Sequence, residues 1–205
     1  MTLFEFDNEY RNREIELLAG VDEAGRGPLA GPVYAAAVIL PPDFYLPEIN
    51  DSKKLSEKKR EKLFDVIIEN ALAYGIASVS AKEIDEINIL NAAMLAMKKA
   101  VEKMSLTPDL VLVDGNRTPK VDIPCEFVIK GDAKSQSIAA ASILAKVARD
   151  RYLIDEMAKK YPEYEFEKHK AYPTKRHREL IEKFGTCPEH RLTFNLLGKG
   201  GKKDA

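Results

Sequence analysis

The sequence predicts an α/β fold, a mixed sheet with helices packed on it and a helical extension toward the C-terminus. Three observations predict it. Short apolar runs closed by Gly, Pro or Asp recur along the chain, and stretches with helical apolar spacing separate the later ones. The first two runs are joined only by glycines and prolines, which makes them an antiparallel pair within an otherwise alternating pattern. Beyond about residue 151 the chain adds helical pattern and little strand.

Taken in order, the strand segments are "LLAGVDEA", "PVYAAAVIL", "ALAYGIASVS", "DLVLVDG" and "CEFVIKG". Helices are expected over roughly 55–70, 82–104, 134–160 and 174–184. In the first of these, Leu55, Leu63, Val66 and Ile67 fall on one face. The Ala-rich run "SIAAASILAKVARD" suits close approach of its helix to a sheet, because small side chains permit it. The expected organisation is one catalytic domain over 1–205, with a core at about 16–150, a helical extension at about 151–196 and a flexible tail at 197–205.

Bulk composition narrows the function. The 205 residues carry 32 basic and 33 acidic side chains, a formal charge of -1, so any nucleic-acid surface has to be local. A hydrophobic share of 45% supports a real core. Cys125 and Cys187 stand in no metal-type spacing and read as free thiols of a reducing compartment. No run approaches the ~18 apolar residues of a membrane helix, and the charged start does not read as a secretory signal, so the expected location is cytoplasmic. Richness in Lys and Glu, with Gln136 as the one glutamine, leans toward a heat-tolerant source.

The chemistry is written in acids at strand ends. Asp22 and Glu23 close the first apolar run, Asp114 follows "LVLV", and Asp132 follows "CEFVIKG". Ligands gathered at strand ends are the usual construction of an α/β site. Clustered carboxylates repel one another unless cations compensate, and all-oxygen donors favour Mg²⁺ or Mn²⁺ over zinc. Two such ions ~4 Å apart form the standard clamp for in-line displacement at a phosphodiester. One difficulty is geometric: strand neighbours point to opposite faces, so Asp22 and Glu23 share a site only where the strand twists or ends. Each acid could also be a turn residue, Asp114-Gly115 being an ordinary turn signal. Spacing alone stops at a metal-dependent enzyme acting on phosphoryl groups.

The loop "GRGPLAG" is not a dinucleotide fingerprint. Its spacing is wrong, Pro28 and Pro32 intervene, and a strand follows it where a helix is required. It reads as a tight loop whose amides can approach a sugar-phosphate backbone with Arg26 beside them, or as a plain hairpin turn.

"GVDEAGRGPLAGPVYAAAVIL", "DSKKLSEKKRE", "LVDGN", "KGDAKSQSIAAASILAKVARDRY" and "KHKAYPTKRH" together resemble ribonuclease HII, the type 2 ribonuclease H family, from about Leu17 to about Leu196. The resemblance implies a ribonuclease H-like mixed sheet flanked by helices, with a helical C-terminal extension. It implies hydrolysis of RNA paired or joined to DNA by two-metal catalysis with Mg²⁺ or Mn²⁺, including cuts 5′ of single ribonucleotides in duplex DNA. The ends left are 3′-hydroxyl and 5′-phosphate.

Carried over by position, Asp22, Glu23, Asp114 and Asp132 are the metal-binding acids. Gly25, Arg26 and Gly27 match the loop that senses the 2′-hydroxyl and the junction with DNA. Tyr172 matches the tyrosine that packs on the following sugar, although Ala171 stands where the family commonly has glycine. From Lys168 to Arg178 the chain holds five basic side chains, no acid, and His169 and His177, a local phosphate-tracking patch or a solvated face.

Ser52 and Lys53 resemble a substrate-backbone loop, Lys134 and Ser135 open the Ala-rich helix where phosphate is favoured, and Lys146 lies in a matching motif. His190 is read as structural and outside any cluster. Ribonuclease HIII is the nearest rival, but the roughly 16 residues before the first strand leave no room for its N-terminal domain. The expected partner is nucleic acid and the expected state a monomer with no membrane. The end "RLTFNLLGKGGKKDA" shows no convincing sliding-clamp peptide.

Overall fold

The computed structural model describes residues 1–11, 15–49 and 55–198. Five strands form one sheet: β1 (Leu18–Ala24), β2 (Val33–Ile39), β3 (Ala73–Val79), β4 (Leu110–Asp114) and β5 (Cys125–Val128). Their order is β3-β2-β1-β4-β5. β1 pairs antiparallel with β2, and β2 with β3, whereas β4 runs parallel to both β1 and β5. The expected mixed sheet is present. Its three parallel members, β1, β4 and β5, all end on the same side.

The helices are α1 (Leu3–Arg11), α2 (Glu57–Asn70), α3 (Ala81–Ile87), α4 (Ile89–Glu102), α5 (Gln136–Tyr152), α6 (Ala158–Lys160), α7 (Phe166–His169) and α8 (Lys175–Phe184). Strand side chains alternate between two apolar layers, as the period of two requires. Ala19, Val21, Val111 and Val113 face α3 and α4, where Ala92, Ala93, Ala96 and Met97 complete one core. Ala36 and Val38 face α5 and α2 on the other side, with Ile138 and α1 closing over Leu18 and Leu112. Gly20 faces α5, where an added Cβ would lie 2.1 Å from the Ser137 carbonyl carbon. The Ala-rich helix therefore sits on the sheet as closely as its composition suggests.

Three boundaries differ from expectation. The run expected over 82–104 is two helices, because Asn88 adopts a left-handed φ of 65° and its side chain accepts from the Asn91 amide to start α4. α5 passes into a π-helical turn at Leu153–Met157 before the short α6. The N-terminal α1 was not anticipated, although Thr2 and Glu5 carry a readable capping signal. The Glu5 amide donates to Thr2 Oγ1 at 3.1 Å and the Thr2 amide to Glu5 Oε2 at 2.7 Å. From α1 the buried Asp7 accepts from the Ser137 amide and hydroxyl at 2.9 and 2.8 Å, so an internal carboxylate meets the start of α5.

The C-terminal extension has its own apolar cluster: Leu153, Met157, Tyr164, Phe166, Leu180 and Ile181 pack around Leu29 and Ala30 of the glycine loop. Beneath it lie all three histidines. His177 donates from Nδ1 to the Tyr172 carbonyl at 3.0 Å, and His190 Nδ1 accepts from the Cys187 amide at 3.0 Å. Those bonds leave one proton arrangement for the 3.2 Å contact between the two Nε2 atoms: His190 donates and His177 accepts. His169 stacks on His177 at 4.4 Å between ring centroids. The expectation that His190 stands outside any cluster is thus corrected, while its structural character is retained.

Burial pushes His177 and His190 down to about 4 from an ordinary 6.5. Both are neutral in the fold, so the unfolded chain takes up their protons first as acid is added. Their contribution is complete above pH 6.5 and is lost as pH falls from 6.5 toward about 4. In urea titrations, stability lost between pH 7.5 and pH 5 should be smaller for His190→Gln than for the parent chain. Equal losses would contradict the neutral buried pair.

Candidate active site

The acids approach one another because of strand register. β1 and β4 pair in parallel up to Val21 opposite Val113. One step further brings Asp22 beside Asp114 on the same face. Asp132 arrives from the 3₁₀ turn Gly131–Ala133 that follows β5, and its position is tied to Asp114. Asp114 Oδ1 accepts from the Gly131 amide at 2.6 Å and the Asp132 amide at 3.3 Å. Glu23 would point away on a regular strand, but β1 ends at Ala24 and Gly25 turns the chain with φ 98°. Asp22, Glu23, Asp114 and Asp132 therefore line one cleft of about 400 Å³, together with Gly25, Arg60, Ser142, Lys146 and Tyr172.

The electrostatics are tense. Burial, then the charges of Glu23 and Asp114, push the Asp22 carboxyl well above its ordinary value. Burial also raises Glu23, opposed by Arg26, which lies 3.3 Å from Glu23 Oε1. Arg26 is in direct contact with the cleft acid Glu23, and more than half its side chain is exposed. Such a pair offsets little of the charge.

These residues fit divalent cations. Every donor is oxygen, and bound cations would favour the charged form of both carboxylates, against the burial that raises Asp22 and Glu23 and the neighbouring charges that raise Asp22 further. Among the described residues no three His, Cys, Asp or Glu side chains already form a ligand cage. Hydrogen bonds hold the carboxylates and leave them room for further partners. Asp22 Oδ1 accepts from the Glu23 amide at 2.7 Å, Glu23 holds Arg26, and Asp114 holds the Gly131 and Asp132 amides. Each of these bonds uses one carboxylate oxygen, and a carboxylate accepts at about four lone-pair positions.

The glycine loop and Tyr172 meet at this cleft. An added Cβ on Gly27 would lie 3.8 Å from the Tyr172 ring. Lys146 Nζ stands 5.7 Å from the centre of that ring and pairs with Asp150 at 2.8 Å. Ala171 is buried with a left-handed φ of 62°. The alanine keeps the glycine-type backbone at a cost of about 1 kcal/mol.

Other predicted residues are placed elsewhere. Ser135 is fully buried and its hydroxyl accepts from the Ile138 amide as the cap of α5, so it does not reach the cleft. Lys134 lines a separate hollow with Met1, Thr2, Leu3 and Phe6. Ser52 and Lys53 lie outside the described residues.

The patch over 168–178 is less cationic than its composition. Lys168 and Arg176 pair with Glu165, Lys170 with Glu57, and Lys175 with Glu179. Arg178 donates to the carbonyls of Asn195 and Leu196, and His177 is buried. Residues unsuspected from the sequence are Arg60 and Ser142 in the cleft, and the buried Arg149 and Arg191 behind the glycine loop. Ser142 had a signal, since it precedes Lys146 by one helical turn on α5.

Hard oxygen donors at the ends of neighbouring strands, beside an exposed ring and a loop with accessible backbone, define a metal-dependent nucleic-acid hydrolase on an α/β sheet. A sequence model of the Ribonuclease HII family matches residues 19–197. The chain is 57% identical over 194 residues to "Ribonuclease HII" of Endomicrobium trichonymphae, covering 94% of this chain and 92% of that protein. The crystal structure of the ribonuclease H2 from Pyrococcus horikoshii OT3 superposes with a TM-score of 0.72 at 30% identity, over 88% of this chain and 94% of that one. The PCNA:RNase HII complex from Archaeoglobus fulgidus superposes with a TM-score of 0.69 at 26% identity, over 87% and 95%. The chain belongs to the ribonuclease HII family, whose members depend on divalent metal, and it is a ribonuclease H, an endonuclease of RNA–DNA hybrids.

Gly25 and Gly27 differ in what they tolerate. At Gly25 a side chain meets both the positive φ and an Arg149 Nε 2.2 Å from the added Cβ, whereas Gly27 has room. Gly25→Ala should therefore cost about 2 kcal/mol or more of stability, and Gly27→Ala less than about 1 kcal/mol. Urea midpoints of the two variants check this, and equal midpoints would contradict the geometry.

Proposed function

We propose that the cleft cuts the phosphodiester on the 5′ side of a ribonucleotide, both in long RNA–DNA hybrids and at single ribonucleotides embedded in duplex DNA. The products are 3′-hydroxyl and 5′-phosphate ends, and the reaction serves ribonucleotide removal in DNA replication and repair. The observation that carries this reading is the meeting of Asp22, Glu23, Asp114 and Asp132 in one cleft with Gly25 and Tyr172.

In this reading the four acids hold two Mg²⁺ or Mn²⁺ ions. Bound there, the ions supply positive charge where the attacking and departing oxygens become negative. The remaining work belongs to the chain. Tyr172, two-fifths exposed beside Gly27, packs on the sugar that follows the ribonucleotide. The Gly25-Arg26-Gly27 backbone approaches the 2′-hydroxyl, the group that distinguishes RNA from DNA at one position.

Arg26, exposed beyond Glu23, reaches toward backbone phosphate, as does Lys146 from α5. Lys134, Ser52 and Lys53 belong to the same proposed set of phosphate-contacting residues. Ser135 is left out of this set because its hydroxyl caps α5. The PCNA complex belongs to the Archaeoglobus fulgidus protein, and the proposed cleavage needs no clamp.

Asp132→Asn tests the assignment. It keeps size while removing one carboxylate from the cleft. Cleavage of a duplex bearing one ribonucleotide should fall by about 10³-fold, equivalent to ~4 kcal/mol in the barrier, with hybrid affinity kept. Unchanged cleavage, or parent-chain activity that survives chelation, would overturn the reading.

A further inference from the structure

Arg191 follows the last helix, far from the cleft acids in sequence, and its side chain is completely buried. Its hydrogen bonds converge on the glycine loop. Nε donates to the Gly31 carbonyl at 2.9 Å, Nη1 to those of Arg26 at 3.0 Å and Pro28 at 2.9 Å, and Nη2 to that of Gly25 at 2.7 Å. Its own amide donates to the Leu29 carbonyl at 2.9 Å. Arg149 takes the Ala30 carbonyl. Of the loop carbonyls from 25 to 31, only that of Gly27 lies outside this set.

Peptide geometry converts that pattern into a prediction about the other edge of the loop. In a planar trans peptide, the carbonyl of one residue and the amide of the next point in opposite directions. With the Gly25 and Arg26 carbonyls drawn onto Arg191, the amides of Arg26 and Gly27 turn away from it. Both residues are exposed, and Gly27 adjoins the Tyr172 ring. The Leu29 and Gly31 amides are instead held inside, by the carbonyls of Ala171 and Glu189 at 2.8 Å each.

We propose that Arg191 is a positioning residue for this site: it gathers the loop carbonyls so that the Arg26 and Gly27 amides are presented to the ribonucleotide. The proposal rests on the functional reading above. Arg191 itself touches no substrate. A guanidinium suits the task because its five donors lie in one rigid plane, whereas an ammonium is a point charge with three. A buried cation whose side-chain hydrogen bonds all go to carbonyls is costly to keep, and burial holds Arg191 down at about 9. A fold that retains it needs the loop it organises.

Arg191→Lys keeps the charge and loses the fork. Its single-turnover cleavage of a duplex with one ribonucleotide should be about 10²-fold slower, the scale set by an ångström of misplacement. Measurement is made at a temperature where circular dichroism shows the variant folded. Duplex affinity without divalent metal should stay within about threefold, and the ¹⁵N–¹H resonances of Arg26 and Gly27 should shift.

A folded variant with near-parental cleavage, or with those two resonances unmoved, overturns the proposal. If neither this variant nor Arg191→Gln folds, hydrogen exchange in the parent chain decides. The Arg26 and Gly27 amides should exchange at least about 10²-fold faster than those of Leu29 and Gly31, as outward and inward amides do. Protected Arg26 and Gly27 amides overturn it. Failure of the parent chain to cut the duplex would instead sink the functional reading, and the resonance and exchange measurements would still judge Arg191.

Discussion

Repulsion among carboxylates forced together at the ends of three parallel strands is the constraint around which this molecule is arranged. Asp22 and Asp132 are nearly buried, and the Arg26 that pairs with Glu23 does so from an exposed side chain. The fold opposes the repulsion with rigid neighbours. Backbone amides of Gly131 and Asp132 fix Asp114, and the Glu23 amide fixes Asp22. What remains is a charge imbalance that suits hard divalent ions, and it lies where the strand ends open to solvent.

The second half of the site is built from the opposite end of the chain. The C-terminal extension packs its apolar cluster on Leu29 and Ala30 and sends Arg191 into the loop that follows β1. Arg149, on α5, lies between that loop and Lys170, whose carbonyl it meets at 3.4 Å next to Ala171 and Tyr172. Acids, glycine loop and tyrosine are thus coupled through two buried guanidiniums and the histidine pair under Tyr172. Loss of packing in the extension is expected to reach the cleft through these groups, although the extension supplies none of the acids.

Much of this was legible in the residues themselves. Alternation within each strand, the helix-free join from β1 to β2 and the acids after Val21, Val113 and Gly131 all carry local signals. The Asn88 break was missed because a left-handed asparagine inside a helical pattern changes no periodicity. The compensating acids of 168–178, Glu57, Glu165 and Glu179, could not be read from the run because they lie outside it and meet it only in the fold. Ser135 looked like a phosphate contact at a helix start, yet Asp7 from an unsuspected helix already meets that start. Arg149 and Arg191 were invisible for the same reason: nothing local shows that a charged side chain will be buried against distant carbonyls.

The most direct test of the electrostatic account is thermal unfolding of the parent chain and Asp22→Asn, each with chelator and with Mg²⁺ or Mn²⁺. In chelator the variant should unfold at or above the parent temperature, because one repelling charge is gone. Divalent ion at ~100 times its dissociation constant should stabilise the parent by about 2.7 kcal/mol and the variant by much less. A parent chain that outlasts Asp22→Asn in chelator and gains nothing from divalent ions would contradict the account.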